Sequence, residues 1–205
     1  MLGSKGFDLW AAGYDAAVGL SEEENSYPFA GYKQVLGGIY RAIREAGAKT
    51  VLDIGFGTGT LAHRLYQDGC AITGIDFSPR MIELAQAKMP DARLICHDFS
   101  TGLPEGLATF DCIVSTYALH HLTDTQKCTF IHQLMQRLVP GGQLLIGDVA
   151  FETREKLENC RLRCGDEWDD EEFYFVTGEL EQRLGLPVAF EPCSFCAGIL
   201  RLKNN

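Results

Sequence analysis

The sequence has no apolar stretch near the ~20 residues that span a bilayer. Its first ten residues, MLGSKGFDLW, lack the apolar segment of a signal peptide. Positive charge is scarce: 18 lysines and arginines stand against 28 acids, a formal net charge of -10. A field of that sign repels phosphate backbones and anionic lipid, which disfavours nucleic-acid or membrane-surface partners. There is no internal repeat, no low-complexity tract and no break in composition to mark a second domain. Residues 1–205 are therefore expected to form a single domain in the cytoplasm. The 8 cysteines do not suggest disulfides, because without a secretory signal that reading loses its compartment. Cys70, Cys96, Cys112 and Cys128 sit in or beside apolar runs and read as small core residues. Cys160-x-x-x-Cys164 and Cys193-x-x-Cys196 could offer four thiolates, but neither pair lies in the glycine-bearing knuckle of a zinc ribbon, and no metal is expected.

What is present is a core-forming composition, 46% hydrophobic and 22% charged. Residues 32–45 read as a helix ending at Gly47. Short, continuously apolar runs follow at 51–54, 71–75, 93–96, 112–115 and 143–146. Runs that do not alternate with polar residues are buried on both faces, as in a parallel sheet. Helical patterns fill most of the gaps. Ser78-Pro79 places an N-cap before a first-turn proline, and Thr123 with Gln126 forms a capping box for a helix running to about Leu138, stopped by Pro140-Gly141-Gly142. The gap from Ser100 to Phe110 carries Gly102, Pro104 and Gly106 and reads as a turn. A helix near 179–184 and two closing runs, 188–190 and 199–202, complete a doubly wound, mostly parallel, seven-stranded α/β sheet with an antiparallel closing strand. Residues 1–48 form an N-terminal helical cap and 49–205 the core, and the acidic run Glu22-Glu23-Glu24 is expected to be a solvated loop.

The first strand runs into Asp53-Ile54-Gly55-Phe56-Gly57-Thr58-Gly59. Glycines there let the chain turn tightly and let a ligand touch the backbone, while the next helix points free N–H groups at it. Asp76, 23 residues after Asp53, ends the second strand, where a carboxylate can accept both hydroxyls of a ribose. These features, with His97-Asp98-Phe99 after strand three, Phe110 to Ser115 leading to Leu119-His120-His121-Leu122, and then Pro140-Gly141-Gly142, resemble a class I S-adenosylmethionine-dependent methyltransferase across about residues 50–150. Trp10-Ala11-x-x-Tyr14-Asp15 is similar to the N-terminal segment of small bacterial members of that family.

The resemblance implies roles. Gly55, Gly57 and Gly59 line the methionine part of the donor, with Asp53 facing its amino group directly or through water. Asp76 holds the ribose with Phe77 beside it; Asp98 and Phe99 meet the adenine; Ser115 and Tyr117 border the reacting methyl; Tyr14 closes over the site. S-adenosylmethionine is then the methyl donor and S-adenosylhomocysteine the product.

A sulfonium is already an activated methyl donor, so the protein's task is alignment and exclusion of water, which can supply about 7–11 kcal/mol. A general base is optional and depends on the acceptor. His120 and His121 follow strand four at the carboxyl end of the sheet, and since consecutive residues point apart, one of them, His120, is expected to face the cavity. The alternative for the pair is a packing role in a loop. Acceptor contacts are expected from residues 5–30 and from Phe151, Trp168 and Tyr174. The preferred function is methyl transfer to a small-molecule acceptor. The alternatives are a nicotinamide-dependent oxidoreductase, since Gly57-x-Gly59-x-x-Ala62 fits the loose dinucleotide fingerprint, and a protein that binds the donor without turnover.

Overall fold

The structure is a computed structural model that describes residues 26–205. Tyr14, its neighbours and the acidic run at 22–24 lie outside the described residues. Helix α1 (Tyr32–Glu45) precedes the sheet, with Val35, Ile39, Ala42 and Ile43 buried at helical spacing. Strands β1 (Thr50–Ile54), β2 (Ala71–Asp76), β3 (Arg93–Cys96) and β4 (Phe110–Thr116) follow. Helix α2 (Thr60–Gln67) connects β1 to β2, and α3 (Pro79–Lys88) connects β2 to β3. The link from β3 to β4 holds a single 3-10 turn, Phe99–Thr101, as the Gly-Pro-Gly sequence predicts. Helix α4 (Asp124–Met135) leads to β5 (Leu138–Phe151), α5 (Arg154–Cys164) to the two-residue β6 (Phe175–Val176), and α6 (Thr177–Leu184) to β7 (Ala189–Pro192) and β8 (Ala197–Lys203).

The sheet order is β3-β2-β1-β4-β5-β8-β7, with β6 beside β5 off this path. Strands β1 to β5 pair in parallel, and β8 runs antiparallel to both β5 and β7. Seven strands thus form the main path, as expected, and β6 is an addition that no two-residue sequence signal could announce. The apolar strands are continuous because alternate residues serve different cores. Val51, Cys112, Val114 and Leu145 join the cluster under α1, α2 and α5. Leu52, Ile54, Ile113, Leu144 and Ile146 join the one under α4 and α6.

Both expected caps form. The Ser78 hydroxyl accepts from the Met81 N–H at 3.2 Å, and Thr123 and Gln126 exchange capping-box bonds. One boundary differs. Helix α4 ends at Met135, and Pro140-Gly141-Gly142 lies inside β5 instead of merely stopping a helix. The chain's last residues explain this: Gly141 N–H donates to the Asn204 carbonyl at 2.6 Å and Asn204 N–H to the Gly142 carbonyl at 2.9 Å, so this stretch gains strand partners. Among the described residues no helix is long and apolar enough to cross a membrane.

Candidate active site

The chain reverses direction through the sheet between β1 and β4, the place where ligands bind in open α/β sheets. A cavity of about 590 Å³ opens there. Its wall over β1 and β2 includes Gly55, Gly57, Asp76, Phe77, Ser78, Met81 and Phe99. Its wall over β4 and β5 includes Phe29, Tyr117, His120, His121, Asp169 and Glu172. The volume suits a small organic ligand.

The glycine turn is built by backbone demands. Gly55 has φ +67° and Gly57 φ +56°, conformations that residues with a Cβ rarely adopt. A Cβ on Gly55 would lie 2.5 Å from the Ala118 Cβ, whereas one on Gly57 would meet nothing within 4 Å, so the chain at Gly57 borders open space. Asp76 fastens this turn: its carboxylate accepts the Gly57 N–H and the Ser78 N–H, both at 2.9 Å. Gly59 is turned away from the cavity and caps α2, its Cβ position facing Met89 and Ala85.

Asp53 lies beneath the turn, 2% exposed, and its Oδ1 is buried with no hydrogen-bond partner. Burial, and then the neighbouring negative charge of Asp76, push its carboxyl up to about 8. A buried carboxylate in that state is short of a cation.

Tyr117 follows β4 with φ 49°, an uncommon conformation for a side chain of its size. Its ring packs against Phe29 and Tyr32 at centroid distances of 5.3 and 5.4 Å. Its hydroxyl is buried without a partner, and burial holds it well above the ordinary tyrosine range. His120 is 7% exposed. Its Nδ1 lies 2.7 Å from Oδ1 of Asp148, which also accepts the Val149 N–H at 2.8 Å. A carboxylate accepts, so the proton sits on Nδ1 and Nε2 is turned toward Glu172, 3.4 Å from its Oε1. Burial opposes charging of this ring, but Asp148 and Glu172 outweigh it and raise its pKa above the ordinary histidine value. His121 behaves oppositely: burial and the adjacent His120 lower it to about 4.

The expectation that one histidine faces the cavity is not met: both rings line it. The 3-10 turn at Leu119–His121 sets their centroids 4.2 Å apart at 66°. Of the other expected residues, Gly55, Gly57, Asp76, Phe77, Phe99 and Tyr117 share the cavity wall. Ser115 instead clips β4 to β1, its hydroxyl donating to the Ile54 carbonyl at 2.9 Å. Asp98 is exposed and accepts the Ser100 N–H at 2.9 Å as a cap. Phe151 is core, and Trp168 and Tyr174 stand behind the wall, packed edge to face at 4.8 Å. The acids beside them, Asp169, Glu171 and Glu172, line the cavity instead.

Sequence reading missed these acids and Asp148. Asp148 had a signal, a lone carboxylate inside the apolar run 144–151. Among the described residues, His120, His121 and Glu172 are the set of three whose potential metal-ligand atoms lie within 4.8 Å of one another; the four tail cysteines form no such set, although the Cys160 and Cys164 sulfurs are 3.9 Å apart.

Residues 51–142 match the family described as a methyltransferase domain. An uncharacterised methyltransferase of Oceanobacillus iheyensis is 37% identical over 75% of this chain and 70% of its own length. The chain belongs to the class I S-adenosylmethionine-dependent methyltransferases. Solved structures share the fold. Magnesium protoporphyrin IX methyltransferase from Synechocystis, with bound S-adenosylhomocysteine, superposes with a TM-score of 0.68 at 18% identity, covering 86% of this chain and 85% of that one. The N-methyltransferase NodS from Bradyrhizobium japonicum, also with S-adenosylhomocysteine, gives 0.62 at 21% identity, covering 86% and 88%.

Proposed function

We propose that this chain transfers a methyl group from S-adenosylmethionine to a small-molecule acceptor held in the cavity between the β1–β2 and β4–β5 walls. The observation that carries the donor assignment is the buried, unpartnered Oδ1 of Asp53 beneath a glycine turn that opens onto that cavity. The donor's amino-acid end offers the ammonium that this oxygen lacks and a carboxylate for the N–H groups at the start of α2. Gly55 and Gly57 admit its backbone-hugging approach, Asp76 accepts from the ribose, and Phe77 and Phe99 flank the base. Gly59 supports this turn from behind. Ser115 fixes the level at which Tyr117 leaves β4, and Asp98 shapes the loop beside Phe99.

When bound, the donor supplies a methyl already activated on a sulfonium. What the chain adds is alignment, removal of water and, where the acceptor requires it, a place for a proton. His120 fills that last role: Asp148 holds its Nδ1–H and stabilises the imidazolium, while Nε2 faces the cavity. The cavity's size and the acidity of the chain support a small acceptor over a nucleic acid. The continuous sheet supports a single domain, and the free cysteines suit a reducing compartment such as the cytoplasm. Calorimetric titration with S-adenosylhomocysteine tests the donor assignment: saturable binding to the wild type that weakens at least tenfold in Asp53→Ala is expected, and absence of binding to the wild type refutes it.

A further inference from the structure

Resting on the methyl-transfer reading, we infer that the acceptor is a cationic amine, its ammonium held against Glu172 and Asp169 beside the His120 ring. The charge of the wall is the first reason. Among the described residues the cavity is lined by four carboxylates, Asp76, Asp169, Glu171 and Glu172, and by no lysine or arginine. An acceptor carrying a carboxylate or phosphate would enter against like charge, with no lysine or arginine among the described lining residues to pair it. An ammonium would enter down the field.

The second reason is that this wall is built rather than accidental. Phe173, next to Glu172, donates its N–H to the His120 carbonyl at 2.8 Å. The Lys127 ammonium, itself 1% exposed, donates to the Phe173 carbonyl. Tyr174 donates its hydroxyl to Oε2 of Glu172 at 2.7 Å and packs against Tyr27 and Trp168. Glu172 is thereby fixed with Oε1 between the two histidines, 3.4 Å from His120 Nε2 and 3.8 Å from His121 Nδ1. The rings of Phe29 and Tyr117 supply an apolar and π-rich surface for the rest of the acceptor.

The chemistry balances. The ammonium gives one proton to Nε2 of His120, which becomes an imidazolium held by Asp148. The freed nitrogen lone pair forms the new N–C bond while the C–S bond breaks, its electron pair remaining on sulfur, which leaves as a neutral thioether. The methylated nitrogen takes up the positive charge that sulfur loses.

Donor-tethered probes test this without knowing the acceptor's skeleton. They are S-adenosylhomocysteine analogues with nitrogen in place of sulfur, that nitrogen bearing a short tether tipped with ammonium, hydroxyl or carboxylate. The ammonium tip should bind at least tenfold tighter than the hydroxyl tip, and the carboxylate tip weakest. Glu172→Gln should erase most of the preference while leaving the affinity for S-adenosylhomocysteine itself within about twofold, and Asp169→Asn should reduce the preference less. Equal binding of ammonium and hydroxyl tips, or a preference for carboxylate, overturns the inference. So does tight binding of the hydroxyl or carboxylate tip that needs added Zn²⁺ and is lost with a chelator, because His120, His121 and Glu172 would then be metal ligands. If S-adenosylhomocysteine itself fails to bind, the donor reading falls and takes this one with it, an outcome distinct from all the others.

Discussion

Donor affinity should depend steeply on pH, and Asp53 is the reason. Burial, and then the charge of Asp76, raise its carboxyl to about 8 in the folded protein, against 3.8 for an ordinary aspartate. Near neutrality Asp53 is therefore mostly protonated before the donor arrives. A ligand ammonium opposite Oδ1 favours the ionised form, so binding must release close to one proton. Ionising the group one pH unit below its pKa costs about 1.4 kcal/mol, a tenfold loss of affinity for each unit. S-adenosylhomocysteine should thus bind about tenfold tighter for each unit of rise between roughly pH 6 and pH 8, then level off. Calorimetry in two buffers of different ionisation enthalpy measures the proton release directly. Asp53→Asn should bind with no proton release and no such slope, and above about pH 8 should be weaker by about 1.5–3 kcal/mol for want of a charged hydrogen bond. The same shift has a stability consequence. A carboxyl raised on folding stabilises the apo protein fully below its unfolded pKa, and that contribution is lost as pH rises through about 8. Apo Asp53→Asn should accordingly melt above the wild type at alkaline pH. A wild-type affinity that is flat between pH 6 and pH 8 with no proton exchanged would refute the reasoning.

Other outcomes follow from the geometry. Because His120 must be neutral at Nε2 to take a proton and its pKa is raised, turnover should climb with pH with a midpoint above 6.5; Asp148→Asn should lower that midpoint and cut kcat by about 10²-fold in steady-state assays. His121 is held neutral to about 4, so wild-type stability should carry a contribution that is complete above about 6.5 and lost as pH falls toward 4; His121→Gln should remove it, as seen in the difference between the two chemical-denaturation profiles. Gly55→Ala forces a side chain to φ +67° and into Ala118, and should cost about 1–3 kcal/mol of stability together with donor affinity, read by melting and titration. Leu145→Ala, in the core beneath α1, should cost about 2–5 kcal/mol in urea unfolding with donor affinity intact.

Much of the fold is legible because β1, β2, β4 and residues 143–151 of β5 are largely buried on both faces and therefore mostly apolar, and because Ser78-Pro79 and Thr123–Gln126 are local devices that need no tertiary partner. Asp53, Asp76 and the glycines are legible for the same reason: each sits at a strand end. What depends on distant chain is not legible. Pro140-Gly141-Gly142 becomes strand because Asn204 returns to pair with it. The direction of both histidines depends on a 3-10 turn and on Asp148 in a neighbouring strand. The acids at 169–172 carry no local signal for the cavity, and reach it because Lys127 and the His120 carbonyl, 46 and 53 residues away in sequence, tether Phe173.

The order in which strands leave the ribosome has a consequence here. β8 lies between β5 and β7, bonded to both, yet it is the final strand of the sheet. Until residues 197–203 emerge, β5 presents a bare, strongly apolar edge, the kind of surface on which unfinished chains stick to one another. A nascent or truncated polypeptide ending before Ala197 would carry every cavity-lining residue and still lack the strand that seals its sheet.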